Sequence, residues 1–186
     1  MSSQPGRTRY VALLRAVNVG GRNKISMAEL RSAVEDAGHT DVTTYIQSGN
    51  VLFRSGAPRH GLASDIERVL EQRFGLPIVV VVRSHAQLRS VVRKAPASFG
   101  ASPQEHHSDV IFLRSPVTPT QAMKVVQLRE GVDRAWPGTG VVYFQRLSAE
   151  RTKSRMSSIV GTPEYANMTI RSWTTTTKLL ALLDET

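Results

Sequence analysis

The sequence predicts an α+β fold of two tandem ferredoxin-like (βαββαβ-type) halves with a C-terminal helix. Three observations carry that expectation. Short runs of β-branched residues alternate with amphipathic segments in the order β-α-β-β-α-β. The same order starts again after residue 107. Between the two runs lies a stretch rich in Pro, Ser and Gly, residues 95–107. The expected division is a first half over 1–83, a connector helix and loop over 84–107, and a second half with the terminal helix over 108–186.

Each element has its own signal. The first strand, 9–15, is apolar from Tyr10 to Leu14. The first helix starts at Ser26, where Ser26-Met27-Ala28-Glu29 forms a capping box; Met27, Leu30, Val34 and Ala37 line one face, and Gly38 ends it. Residues 42–47 and 50–54 flank a tight Ser48-Gly49 turn and read as a hairpin. A second capping box, Ser64 to Glu67, is expected to open helix two, which buries Ile66, Val69, Leu70 and Phe74 and stops at Gly75. The valine-rich run at 77–83 reads as a buried strand, and 84–94 as a connecting helix. In the second half, 109–114 reads as a strand. A helix follows, capped by Thr118 with Pro119 at its first position. Residues 132–136 and 141–146 form a hairpin around a Pro-Gly-Thr-Gly turn. A helix is expected over 148–160, a closing strand over 168–171 and a last helix over 174–183. The halves share element order, with no sequence repeat between them.

The chain has 186 residues, of which 40% are hydrophobic, enough for one large domain or two small ones. It has no cysteine, which excludes disulfides and thiolate chemistry and fits a reducing compartment. No apolar run reaches signal-peptide or membrane-span length, so a cytoplasmic protein with no membrane partner is expected. Lys and Arg together number 24 against 15 acids, a net charge of +9. The excess is clustered: Arg7, Arg9, Arg15, Arg22 and Lys24; then Arg73, Arg83, Arg89, Arg93 and Lys94; then Arg146, Arg151, Lys153 and Arg155. Such a surface attracts phosphates and polyanions, although 19 arginines to 5 lysines also fits a codon bias with no functional content.

No hydrolase elbow, complete phosphate loop, dinucleotide fingerprint or zinc-protease motif is present, and no catalytic residue is nominated. Glu105-His106-His107-Ser108-Asp109 is the one histidine cluster. Neighbouring strand residues point to opposite faces, so His106 and His107 are not expected to share one metal, and the segment reads as a polar loop entering a strand; neither metal nor cofactor is expected.

The segment Arg15-Ala-Val-Asn18-Val-Gly20-Gly21-Arg-Asn23-Lys24 is the most unusual. Two glycines free its amides, the following helix start adds positive potential, and Arg15, Arg22 and Lys24 add charge. An anion would find partners there. The structural alternative is a tight strand-to-helix loop in which Asn18 and Asn23 bond locally. In a split βαβ unit this loop shares an end with the hairpin turn. Gln47, Ser48 and Asn50, around Gly49, are therefore expected beside Asn18, Gly20, Gly21 and Lys24 as one concave site. Near the C-terminus, Arg171 stands beside Trp173 and a run of hydroxyls, a setting for a carboxylate or phosphate. Against that stand a core tryptophan and a structural arginine bonding a carboxylate or backbone carbonyls.

Three segments carry a family resemblance: V-A-L-L-R-A-V-N-V-G-G-R-N-K-I-S-M-A-E-L, V-T-T-Y-I-Q-S-G-N-V-L-F and T-I-R-S-W-T-T-T-T-K-L-L. They resemble the bacterial domain-of-unknown-function family 1697 over residues 10–183. The third departs from the family pattern, with Ser172 and Thr174 where asparagines are usual. The resemblance implies an α/β fold with ferredoxin-like halves and implies no activity. Three functions are therefore weighed: a binding protein for a phosphate-bearing ligand, nucleotide or nucleic acid; an enzyme holding a small anionic metabolite through Arg15, Lys24 or Arg171; and a protein-interaction module with a basic surface.

Overall fold

The computed structural model describes residues 7–18 and 24–185. The first strands and helices are β1 (Thr8–Leu14), α1 (Met27–Asp36), β2 (Thr40–Tyr45), β3 (Asn50–Ser55), α2 (Leu62–Phe74), β4 (Val80–Ser84) and α3 (His85–Arg93). There follow β5 (His106–Leu113), α4 (Pro119–Val125), β6 (Asp133–Gly138), β7 (Val141–Leu147), β8 (Met168–Ser172) and α5 (Trp173–Glu185). The strands form two four-stranded antiparallel sheets, in the orders β2-β3-β1-β4 and β6-β7-β5-β8.

The chain divides into two compact units. The first holds the chain through Leu88 and again from Leu179; the second is Arg89–Lys178. Period-two alternation in the central strands builds each core. In the first unit Tyr10, Ala12 and Leu14 of β1, with Val51 and Phe53 of β3, turn to one face and meet Leu30, Ala33 and Val34 of α1 and Ile66 and Leu70 of α2. In the second, Ile111 and Leu113 of β5 and Val142 and Phe144 of β7 meet Ala122 of α4, Ile159 and Met168. Each fully buried valine, leucine, isoleucine, phenylalanine or methionine among them contributes about 1.5–3 kcal/mol by leaving water. The last turns of α5 belong to the first unit. There the Arg9 guanidinium donates to the Leu183 carbonyl, and His85 Nε2 meets Asp184 Oδ1 at 2.6 Å.

Several elements depart from the sequence expectation: β5 starts three residues early, at His106, and Pro137 and Gly138 belong to β6, not to the turn after it. Helix α2 starts at Leu62, two residues before Ser64, behind Gly61 at φ 102° with no side-chain cap, so Ser64 and Glu67 do not form a capping box. The buried Leu62, Ile66 and Leu70 stripe fixes where the helix begins. The helix expected over 148–160 is instead a pair of 3-10 turns, Ser148–Lys153 and Met156–Ile159. Glu150 breaks the helical path at φ −109°, ψ 21°, and the buried Asp133 carboxylate takes the Arg155 amide at 2.8 Å, holding the chain off a continuous helix. Ile159 is the buried residue of the two turns, too little apolar surface to dock a helix face.

A repeat that composition and periodicity do not show is present in the register. Leu14 N–H donates to Gly49 O at 2.8 Å, and Leu113 N–H to Gly140 O at 3.0 Å. Arg15 N–H donates to Val79 O at 2.9 Å, and Arg114 N–H to Asn167 O at 2.8 Å. Tyr10 pairs with Phe53 and Ser84, as Asp109 pairs with Phe144 and Ser172. An Arg-Ser pair closes each fourth strand: Ser84 Oγ caps the amide of Gln87, Ser172 Oγ that of Thr175, both at 3.2 Å. The two units are the same frame built twice.

Candidate functional site

At one end of the first sheet a cleft of about 460 Å³ is lined by Asn18, Lys24, Ile25, Ser26, Met27 and Gln47. Three stretches of chain form it. The first is the stem of the loop after β1. Asn18, at φ 56°, spans that stem: its Nδ2 donates to Ile25 O and its Oδ1 accepts from Ile25 N–H, both at 2.9 Å. Val17 and Ile25 flank this clasp from inside the core, at 0% and 4% exposure. The second is the start of α1. Ser26 Oγ accepts the Glu29 amide at 3.1 Å and donates to Glu29 Oε2 at 2.8 Å, so the helix's first turn already holds a carboxylate. The third is the turn between β2 and β3, which supplies Gln47.

The loop and the hairpin turn thus lie at the same end. Gly49 touches the chain leaving β1: a Cβ built on it would stand 2.8 Å from Leu14 Cβ and 3.3 Å from Val17 Cβ. Of the residues the sequence nominates, Asn18, Lys24 and Gln47 line the cleft. Ser48 and Asn50 are structural. Asn50 is fully buried, and its Nδ2 donates to Tyr45 O and Ser48 Oγ, both at 3.1 Å, which pins the turn. Arg15 is half-buried, with its amide in the β4 connection. Gly20, Gly21, Arg22 and Asn23 lie outside the described residues. Among the described lining residues Lys24 is the one cation, it is exposed, and none carries a carboxylate.

Arg171 and Trp173 belong to the second unit. Arg171 is 9% exposed; its Nη1 donates to Thr169 Oγ1 at 2.8 Å and Ile170 O at 2.9 Å. Burial pushes its pKa down to about 10, which leaves it charged at neutral pH. Arg83, its counterpart in β4, behaves alike: Nη1 donates to Val82 O at 3.0 Å, and burial, then Arg59, push it to about 10. Trp173 lies edge-on to Phe99, centroids 5.1 Å apart, over Gly100. Phe99 also meets Trp136 and Tyr143 edge-on, so Trp173 is one wall of an aromatic cluster.

The cluster that sequence reasoning missed lies on β5 and β7. Residues 105–109 read as a polar loop, but β5 begins at His106 and places His107 and Asp109 on one face. His107 Nε2 is 3.1 Å from Asp109 Oδ1, and Arg146 is 3.5 Å from Asp109 Oδ2. Burial raises the Asp109 pKa; His107, Arg146 and Arg151 draw it back. The i, i+2 spacing was the available signal. Some of the basic side chains are paired: Arg73 with Asp36 and Arg54 with Asp41, both at 3.1 Å, and Lys153 with Glu150 at 2.6 Å. Among the described residues no three His, Cys, Asp or Glu stand together as a metal-ligand group. No helix among them is long and apolar enough to cross a membrane.

Residues 7–143 match the family described as protein of unknown function (DUF1697), so the C-terminal Thr-Ile-Arg-Ser-Trp segment lies beyond the matched region. Comparison with curated proteins gives no match. Among solved structures, that of the conserved bacterial protein SP0830 from Streptococcus pneumoniae is similar. Its TM-score is 0.81 at 25% identity, over 95% of this chain and 99% of that one.

Proposed function

The chain belongs to the DUF1697 family of proteins of unknown function, and from that premise we propose that it is a binding protein for a small phosphate-bearing ligand, taken up in the cleft of Asn18, Lys24 and Gln47. The observation that carries this is the make-up of the cleft. A volume of about 460 Å³ holds a nucleotide-sized molecule, the exposed Lys24 ammonium opens into it, and no carboxylate is among the described lining residues, that of Glu29 being held behind Ser26. Gln47 supplies a neutral hydrogen-bonding group and Met27 and Ile25 an apolar wall, while the Ser26 hydroxyl is committed to Glu29. The polymer form of the idea draws less support, because Arg83, Arg146 and Arg171 are held inside the fold and Arg54 and Arg73 are paired with carboxylates. Among the described lining residues there is no acid–base pair. The strand orders support reading each sheet with its helices as ferredoxin-like. The absence of cysteine supports a cytoplasmic setting.

The test is thermal stabilisation by inorganic phosphate, AMP and ATP, with a short RNA at two salt concentrations as the polymer control. A ligand at a hundred times its Kd adds about 2.7 kcal/mol to stability, a readily measured shift. Lys24→Ala is expected to weaken binding by about 1–3 kcal/mol while changing stability by less than about 0.5 kcal/mol. If none of the phosphates stabilises the protein, or if Lys24→Ala leaves affinity unchanged, the proposal fails.

A further inference from the structure

The duplicated frame shows what the connection from first strand to first helix requires. In the second unit the path from Arg114 to the helix cap Thr118 uses residues 115–117 and closes through one backbone bond, Val117 N–H to Arg114 O at 3.1 Å. In the first unit the equivalent path, from Arg15 to the cap Ser26, uses residues 16–25. The flanking bonds are the same in both, so the longer path is an insertion that the frame does not need. Asn18 closes it. One amide side chain bonds both the carbonyl and the N–H of Ile25, the residue that follows Lys24. A carboxamide is the side chain that can donate and accept at once in this way, and asparagine also tolerates the left-handed backbone that the position adopts at φ 56°.

We infer that Asn18 is the positioning residue of the cleft. By clamping Ile25 it fixes the backbone beside Lys24, so that the ammonium is presented to the ligand from a set place. The inference rests on the binding role proposed for this cleft. Asn18 contributes through Lys24, since its own amide is committed to Ile25.

The test is a double-mutant cycle on full-length protein, read by calorimetric titration with AMP and with inorganic phosphate. Asn18→Gly removes the clasp without adding charge or straining a positive-φ backbone. It is expected to weaken AMP binding about tenfold in the wild-type background and less than about twofold once Lys24 is alanine, the signature of two residues acting as one unit. Amide exchange at Ile25 is expected to accelerate in Asn18→Gly while β1 amides stay protected. A loss confined to stability, with affinity unchanged, overturns the inference. So does an equal loss of affinity in both backgrounds. Failure of the wild type to bind either probe overturns the binding role itself and this inference with it, a result distinct from binding that Asn18→Gly leaves intact.

Discussion

Burial sets how single residues respond to pH, and two of them respond in opposite senses. His39 is 7% exposed, its ring tilted on Phe53 at 4.8 Å, and its Nδ1 is buried without a partner. Burial above all, then Arg7, lowers its pKa below 6.5, with Asp65 pulling the other way. The unfolded chain therefore takes up a proton near pH 6.5 that the native state refuses. Stability is lost as pH falls from that value to the lowered one. His39→Phe is expected to flatten the loss, seen as a smaller difference in denaturation midpoint between about pH 7.5 and 5.5 than the wild type shows. Asp109 works the other way. Its raised pKa means that the native state holds its proton at higher pH than the unfolded chain does, so its contribution to stability falls as pH rises through that window. Lys24 was legible in the sequence because exposed charge on a glycine-rich loop is a surface signal. The His107–Asp109–Arg146 contact was not, because a polar run reads the same whether it precedes a strand or begins one.

Elements show where local sequence suffices and where packing decides. The two N-caps are legible because cap and helix start lie within four residues: Thr118 forms the full box, while Ser26 caps the Glu29 amide and the Glu29 carboxylate takes the Ser26 hydroxyl instead of the cap's own backbone N–H. Ser64 fails because the buried stripe of Leu62, Ile66 and Leu70 places the helix start upstream of it. Residues 148–160 fail because Asp133, distant in sequence, claims their backbone. The β2–β3 turn gives a sharper test. Gly49 and Gly38 both lie at positive φ, 74° and 89°, but a Cβ on Gly38 meets nothing while one on Gly49 runs into Leu14 and Val17. Gly38→Ala is expected to cost about 1 kcal/mol of backbone strain. Gly49→Ala carries the same strain plus the clash and is expected to cost at least about 2 kcal/mol. Urea denaturation of the two variants separates the terms; equal losses would show that the turn does not press on the strand.

The whole molecule is one frame used twice, and only the first copy carries the cleft insertion. Sequence periodicity could show the shared element order; the duplication itself lives in cross-strand register, which no single strand reveals. The chain also closes on its first unit: it leaves within α3 and returns within α5, whose Leu179 and Leu183 are 0% and 1% exposed. Arg9 and His85 bind this last turn through the Leu183 carbonyl and Asp184. The first unit is therefore completed by residues at the far end of the sequence, and a late truncation should strike the earliest strand. Leu183→Ala is expected to remove about 2–5 kcal/mol, as a buried leucine does when its site cannot collapse. Amide exchange locates the damage. Faster exchange in β1 and β4, with β5 and β7 unchanged, is the expected pattern. Uniform acceleration across both sheets would mean that the two units open together, and unchanged exchange throughout would mean that the terminal turn is dispensable to the first unit.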